Sequence, residues 1–154
     1  MTQRILIRPA TTADLPTLLQ FEQGVIKAER PMDPTIREGA IRYYDLPAML
    51  AAPNIHLLVA VLGDTVIGSG YARIEAGRTY LKHTHHAYLG FMYTDPTHRG
   101  KGVNQLIIEG LRGWAAAQNI TELRLDVYNV NEAAIRAYEK AGFTRHLVQM
   151  RRPT

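Results

Sequence analysis

The sequence predicts an α/β fold, a mixed and mostly antiparallel sheet flanked by helices in the order β-α-α-β-β-β-α-β-α-β. Two observations carry this. Three strand-like runs in the middle of the chain, residues 55–62, 65–75 and 87–94, are joined by short turns or a polar connection, as antiparallel neighbours are. Further on, residues 102–118 and 131–141 place apolar side chains at three- and four-residue steps between strand-like runs, so they read as helical crossovers. Hairpins followed by crossovers give a mixed sheet covered by helices.

Taken in order, Arg4-Ile5-Leu6-Ile7-Arg8 alternates and is closed by Pro9, a first strand. Thr11, Thr12 and Asp14 offer capping oxygens before Leu15, Leu18, Leu19 and Phe21, which predicts a helix over residues 14–28. Pro31-Met32-Asp33-Pro34 breaks the chain, and a second helix over 45–52 stops at Pro53-Asn54. Gly63-Asp64 turns between the first two central strands, and Gly90 lies inside the third, where a glycine marks a bulge or a close backbone approach. Val103, Leu106, Ile107, Gly110, Leu111 and Trp114 form one face of the third helix. Residues 121–128 read as a strand with Leu123, Leu125 and Val127 on one side. Asn131 opens the fourth helix, Gly142 stops it, and residues 143–150 read as a last strand. There is no repeat, low-complexity segment or linker, so residues 1–154 are expected to form a single domain.

Composition narrows the function. A hydrophobic fraction of 46% and a charged fraction of 21% suit a soluble globular protein, and no apolar run is long enough to cross a bilayer. No signal-peptide pattern opens the chain, and the absence of cysteine excludes disulfide and thiolate chemistry, so a cytoplasmic location is expected. The formal charge of +4 comes from 18 Lys and Arg against 14 acids, scattered and without a nucleic-acid recognition motif. Such a surplus suits a compact anionic ligand.

One stretch offers the site for it. In Arg99-Gly100-Lys101-Gly102-Val103-Asn104-Gln105 a strand turns through two glycines into a helix N-terminus. The first N–H groups of a helix lack intrahelical partners and carry partial positive charge, and Arg99 and Lys101 add two cations. A pyrophosphate-bearing ligand is therefore expected here. A Gly-Lys-Ser/Thr P-loop is absent, and Gln105 stands where a dinucleotide fingerprint needs its third glycine.

Two segments together resemble one family. Arg99-Gly100-Lys101-Gly102-Val103-Asn104 is similar to the Arg/Gln-x-x-Gly-x-Gly/Ala motif of the GCN5-related N-acetyltransferase (GNAT) family. Asn131-Glu132-Ala133-Ala134 with Tyr138-Glu139-Lys140-Ala141-Gly142-Phe143 resembles that family's Asn-x-x-Ala…Tyr-Glu-Lys-x-Gly-Phe segment. Asn104 departs from the family's small residue. The resemblance implies the acyl-CoA N-acyltransferase fold, acetyl-CoA as donor, and a small-molecule or peptide amine as acceptor. No metal, nucleic acid or membrane is implied, and a homodimer is left open. It further implies that backbone groups of Gly100, Lys101, Gly102, Val103, Asn104 and Gln105 hold the pyrophosphate, with Arg99 beside them. Main-chain groups of Met92, Tyr93 and Thr94 would pair with the pantetheine arm in a slot opened where the strand splays. Asn131 would hydrogen-bond near that arm and Tyr138 would face the sulfur. A non-catalytic acyl-CoA sensor of the same fold is the alternative.

Direct transfer to an amine needs a donor for the oxyanion, a proton for the departing thiolate and a neutral amine. The N–H of Met92 or Tyr93 could serve the first and the phenol of Tyr138 the second, although Tyr138 also lies on a core-facing stripe. Glu22, Glu29, Glu75, His86 and Asp126 are all candidates for the base. His83, His85 and His86 sit in a polar connection without metal-ligand spacing, and His98 flanks the phosphate loop. The acceptor is expected against the N-terminal helices, the Pro31–Pro34 loop and the His83–His86 connection; Glu22, Glu29 and Asp33 make that end acidic and favour a cationic amine.

Overall fold

The computed structural model describes residues 3–154. Five strands form one sheet in the order β1-β2-β3-β4-β5: β1 Ile5–Pro9, β2 Ile55–Leu62, β3 Thr65–Ala76, β4 His85–Thr94 and β5 Leu123–Arg124. Neighbours from β1 to β4 are antiparallel, and β5 joins β4 in parallel. The helices are α1 Leu15–Glu29, α2 Leu46–Ala51, α3 Val103–Ala117 and α4 Glu132–Lys140. The fold is thus the mixed, mostly antiparallel, helix-flanked sheet that the sequence predicts.

Both faces of the sheet are covered, which explains the unbroken apolar run of β2. Leu57, Val59 and Val61 pack with Leu18, Phe21, Leu46 and Met49 on the side of α1 and α2. Leu58 and Ala60 pack with Ile107, Ile108 and Leu111 of α3 on the other. Side-chain oxygens start α2 and α4, whereas α1 has no side-chain cap and Asp14, expected to cap it, pairs with Arg8 instead. Asp45 Oδ1 accepts from Ala48 N at 3.2 Å and Asn131 Oδ1 from Ala134 N at 3.2 Å. Gly142, with φ of 101°, stops α4, and the Phe143 N–H then donates to Tyr138 O at 3.0 Å.

Two expected strands differ. Residues 121–128 contribute only Leu123–Arg124 to the sheet, through the pairs Ala87↔Leu123 and Tyr88↔Arg124. The cause lies in β4. Tyr71 pairs with Gly90 and Ser69 with Tyr93, so Phe91 and Met92 together oppose Gly70, a bulge in which Phe91 has φ of 55°. The bulge turns β4 off the line of residues 125–128, and the ladder ends after two pairs. Gly90 is the close approach expected of it: a Cβ there would lie 2.5 Å from the Tyr71 ring. The second difference is residues 143–150, which join no ladder among the described residues.

Glu22 is fully buried on α1, and its Oε2 accepts from Tyr43 N at 2.8 Å and Tyr44 N at 2.7 Å, while Arg42 Nε lies 3.2 Å from Oε1. It pins the loop before α2 to α1. Removing it leaves two backbone donors and an arginine unpaired, so Glu22→Ala is expected to cost about 3 kcal/mol in urea unfolding.

Candidate functional site

The loop after β4 is built from a capped turn. Asp95 accepts from the Thr97 hydroxyl, from His98 Nδ1 at 2.8 Å and from Thr97 N at 3.3 Å, and the bonds from the Thr97 hydroxyl first and His98 after it hold its carboxyl below the usual range. His98 therefore shapes the turn. Gly100 and Gly102 then take left-handed angles, φ of 79° and 78°, and Gly102 is the N-cap of α3. A Cβ at either glycine would meet nothing within 4 Å, so the loop faces open space. The first loop-to-helix bond runs from Leu106 N to Gly102 O at 3.1 Å. Among the described residues, the N–H groups from Arg99 to Gln105 donate to no protein group. A row of free donors with two exposed cations and no carboxylate has the chemistry to cradle an anion.

Beside the cradle is the gap between the diverging β4 and β5. Asp95 N donates to Ile67 O at 2.8 Å, so the alternation of an antiparallel ladder turns the peptide groups of Thr94 away from β3 and toward the gap. Tyr138, on α4, packs into the core on the α3 side, its ring 5.9 Å from that of Phe143. Gln105 Nε2 donates to Ala137 O at 3.2 Å and ties the start of α3 to the turn of α4 that carries Tyr138. Burial, and after it the charge of Glu29, push the Tyr138 phenol up to about 12. Glu29 ends α1, which covers the opposite face of the sheet.

A family model describing the acetyltransferase (GNAT) family matches residues 22–143. The chain belongs to this family. Streptothricin acetyltransferase of Escherichia coli is 42% identical over 48 residues, a match that covers 31% of this chain and 28% of that protein. The BH1408 protein of Bacillus halodurans, solved as a tetramutant, superposes with a TM-score of 0.84 at 22% identity, covering 97% of this chain and 99% of that one. A predicted acetyltransferase of Clostridium acetobutylicum, solved with acetyl-CoA, superposes with a TM-score of 0.72 at 20% identity, covering 96% of both chains.

In this GNAT chain the expected cradle residues, Arg99 through Gln105, are contiguous at the mouth of the gap, with Asn104 half-buried among them. Met92, Tyr93 and Thr94 line the strand at and after the bulge. Asn131 is already engaged, its Oδ1 capping α4, so only its amide donors are available. The candidate bases separate. Glu22 is consumed by backbone donors. Glu75 and His86 pair across the far end of the β3–β4 hairpin, 3.3 Å apart, with Arg73 Nη2 2.7 Å from Glu75. His83 lies there too, 3.3 Å from Glu122, and among the described residues no three His, Asp or Glu side chains gather as a metal site. Asp126 accepts from Tyr88 Oη at 3.1 Å. Glu29 is half-buried, and burial raises its carboxyl although a hydrogen bond from Tyr43 opposes this.

Sequence reasoning singled out Tyr138 but not Tyr43, Tyr44 or Tyr128. Tyr43, Tyr44, Tyr128 and Tyr138 are all raised first by burial, and the charge of Glu29 contributes in each case. Tyr44 packs 4.8 Å from the ring of Phe91, and Arg73 lies over Tyr71 and Tyr88 at 5.6 and 5.4 Å. The adjacent Tyr43-Tyr44 pair in a loop is the local signal that could have found them.

At pH 11 an ordinary tyrosine, with pKa about 10, is about nine-tenths ionised. Tyr138 is expected to remain mostly phenol there. Carbon-13 labelling at tyrosine Cζ reads this directly, and Glu29→Gln should lower the Tyr138 midpoint.

Proposed function

We propose that this chain is an N-acetyltransferase that binds acetyl-CoA between β4 and β5 and moves its acetyl group directly to the amine of a small-molecule acceptor. The observation that carries the reading is one conjunction: a row of unpaired N–H groups from Arg99 to Gln105 at the mouth of a gap opened by a strand bulge. The residues fit the group. Residues 97–106 hold two full cations and no carboxylate, and Asn104 brings a neutral amide.

Backbone donors of Gly100 to Gln105 would hold the pyrophosphate, with Arg99 and Lys101 screening it. Main-chain groups of Met92, Tyr93 and Thr94 would pair with the pantetheine as an added strand does, and the amide donors of Asn131 would reach it. Bound acetyl-CoA supplies the thioester. The N–H of Met92, at the bulge, stabilises the carbonyl oxygen as it gains charge.

In the transfer a C–N bond forms, a C–S bond breaks, the amine loses one proton and the thiolate gains one. A phenol at about 12 stays protonated at neutral pH. An ordinary thiol has pKa about 8.5, so passing the Tyr138 proton fully to the thiolate would be uphill by about 5 kcal/mol. Tyr138 therefore donates a hydrogen bond to the sulfur, and the balancing proton comes from the amine through solvent. Glu29 is the base that removes it: it is half-buried, it faces the site from α1, and no backbone donor occupies it. Glu29, Asp33 and Asp126 among tyrosine rings favour a cationic amine, and the Escherichia coli relative's named substrate, streptothricin, supports a small molecule.

Calorimetric titration is expected to give micromolar binding of acetyl-CoA and none of NADH or ATP. Lys101→Glu, which reverses a charge in the cradle and leaves both left-handed glycines in place, should weaken that binding at least 10-fold with an unchanged circular dichroism spectrum, and Gly102→Glu, which adds backbone strain to the same negative charge, should weaken it further. Tyr138→Phe should leave affinity within about two-fold and lower turnover on the order of 10- to 100-fold. No binding of acetyl-CoA would sink the reading.

A base works deprotonated, and burial raises the Glu29 pKa. Activity should therefore rise with pH through a midpoint above the ordinary glutamate value of about 4.3. In Glu29→Gln that acid limb should vanish; its survival would assign the base elsewhere.

A further inference from the structure

Asp33 collects donors from three parts of the chain. Its Oδ1 accepts from Thr35 N at 2.9 Å and from Arg151 Nη2 at 3.1 Å, and its Oδ2 accepts from Tyr128 Oη at 3.3 Å. Arg151 Nη1 also donates to Thr35 Oγ1 at 3.0 Å, so the guanidinium straddles the turn at residues 33–35. The Asp33 side chain is 13% exposed and that of Arg151 57%. Bonds from Thr35 first and Arg151 after it hold the Asp33 carboxyl down at about 2, so it is ionised at neutral pH.

Glu29 lies one winding before it. Asp33 N donates to Glu29 O at 3.2 Å, which carries the turn of α1 on to residue 33. Two acids four residues apart on such a turn are neighbours, and their like charges repel. The other groups near Glu29 are tyrosines: Tyr43, which donates a hydrogen bond to it, with Tyr44, Tyr128 and Tyr138. Two cations belong to the same neighbourhood. Arg30 is committed to the carbonyls of Arg37 and Gly39, at 2.7 and 2.6 Å. Arg151 is bonded to the carboxylate beside Glu29. A partly exposed ion pair of this kind stabilises a fold little. Its effect falls on the neighbouring acid instead.

We propose that Arg151 is a positioning residue for the acceptor end of the site: it clamps Asp33, fixes the turn that follows Glu29, and screens Glu29 from the Asp33 charge. The last residues of the chain thereby act on the site through Asp33, more than a hundred positions away. Losing the guanidinium leaves a bare anion beside Glu29, disfavours its charged form and raises its midpoint. Losing the Asp33 charge lowers it. The effect on rate rests on the reading of Glu29 as the base; the effect on the Glu29 carboxyl does not.

Carbon-13 at glutamate Cδ follows the whole chain through a pH titration, with the Glu29 signal assigned by its loss in Glu29→Gln. Arg151→Ala should raise the Glu29 midpoint by roughly 0.3–0.5 pH unit, the scale of one exposed charge lost nearby. Arg151→Lys, which keeps the charge, should restore it. Asp33→Asn should lower the midpoint, and in that background Arg151→Ala should change it far less, because the guanidinium has already lost its anchor. The acid limb of the rate should move with the midpoint. A Glu29 midpoint indifferent to Arg151→Ala, or one that shifts equally with and without Asp33, would overturn the proposal. A midpoint that moves while the acid limb stays would uphold the clamp and take the role of base from Glu29.

Discussion

A non-glycine residue in the left-handed region of a buried strand costs about 1–2 kcal/mol, and Phe91 holds that conformation because its surroundings leave it no other. Its carbonyl accepts from the buried Ser69 hydroxyl at 3.0 Å, its side chain is packed under Tyr44, and Gly90 before it makes room for the Tyr71 ring. The bulge so fixed steers β4 away from β5. Everything that could act as a site depends on that divergence. The ladder stops after Tyr88↔Arg124, and the peptide groups of Thr94 are left facing a gap. A regular strand at Phe91 would zip β4 to residues 125–128 and leave the cradle at Gly100 and Gly102 without a slot beside it.

The cradle was legible in the sequence because its causes are local. Left-handed angles at Gly100 and Gly102 need only glycine, a helix start needs only a cap, and both can be read within a few residues. The division of labour among the carboxylates is not local. Glu22 and Glu29 are seven residues apart on α1, two turns, and so project to nearly the same side of the helix. One is fully buried and accepts two backbone N–H groups of Tyr43 and Tyr44; the other is half-buried with its carboxyl raised. What separates them is where residues 42–44 fold back, twenty positions away in the chain, and no spacing rule sees that. The tyrosines raised in part by the charge of Glu29 are hidden for the same reason: they come from the loop before α2, the stretch after β5 and α4.

Residues 121–128 and 143–150 show the complementary limit. Alternation reports that a segment has a strand's face; it says nothing about whether a neighbouring edge is within reach to complete the ladder. β2 and β3 have partners on both sides and follow the expected bounds to within a residue. Residues 125–128 lose their partner to the bulge, and residues 143–150 find none among the described residues. Gly90 was a correct marker of the irregularity, but its consequence fell on a different strand.

β5 consequently sits between two unlike edges while holding only two ladder pairs. Its inner edge borders the gap that would take the pantetheine, and its outer edge is bare. A strand of two residues fixes little by itself; mean strands run five or six. The width of the gap is then governed by whatever seats β5 from outside. A strand laid along the outer edge would restrict residues 123–128 and pre-organise the slot, so that filling one edge lowers the ordering cost of filling the other. By linkage the reverse holds equally, and a ligand in the gap would favour an ordered outer edge. The bulge that separates β4 from β5 thus ties the two edges of one short strand into a single equilibrium.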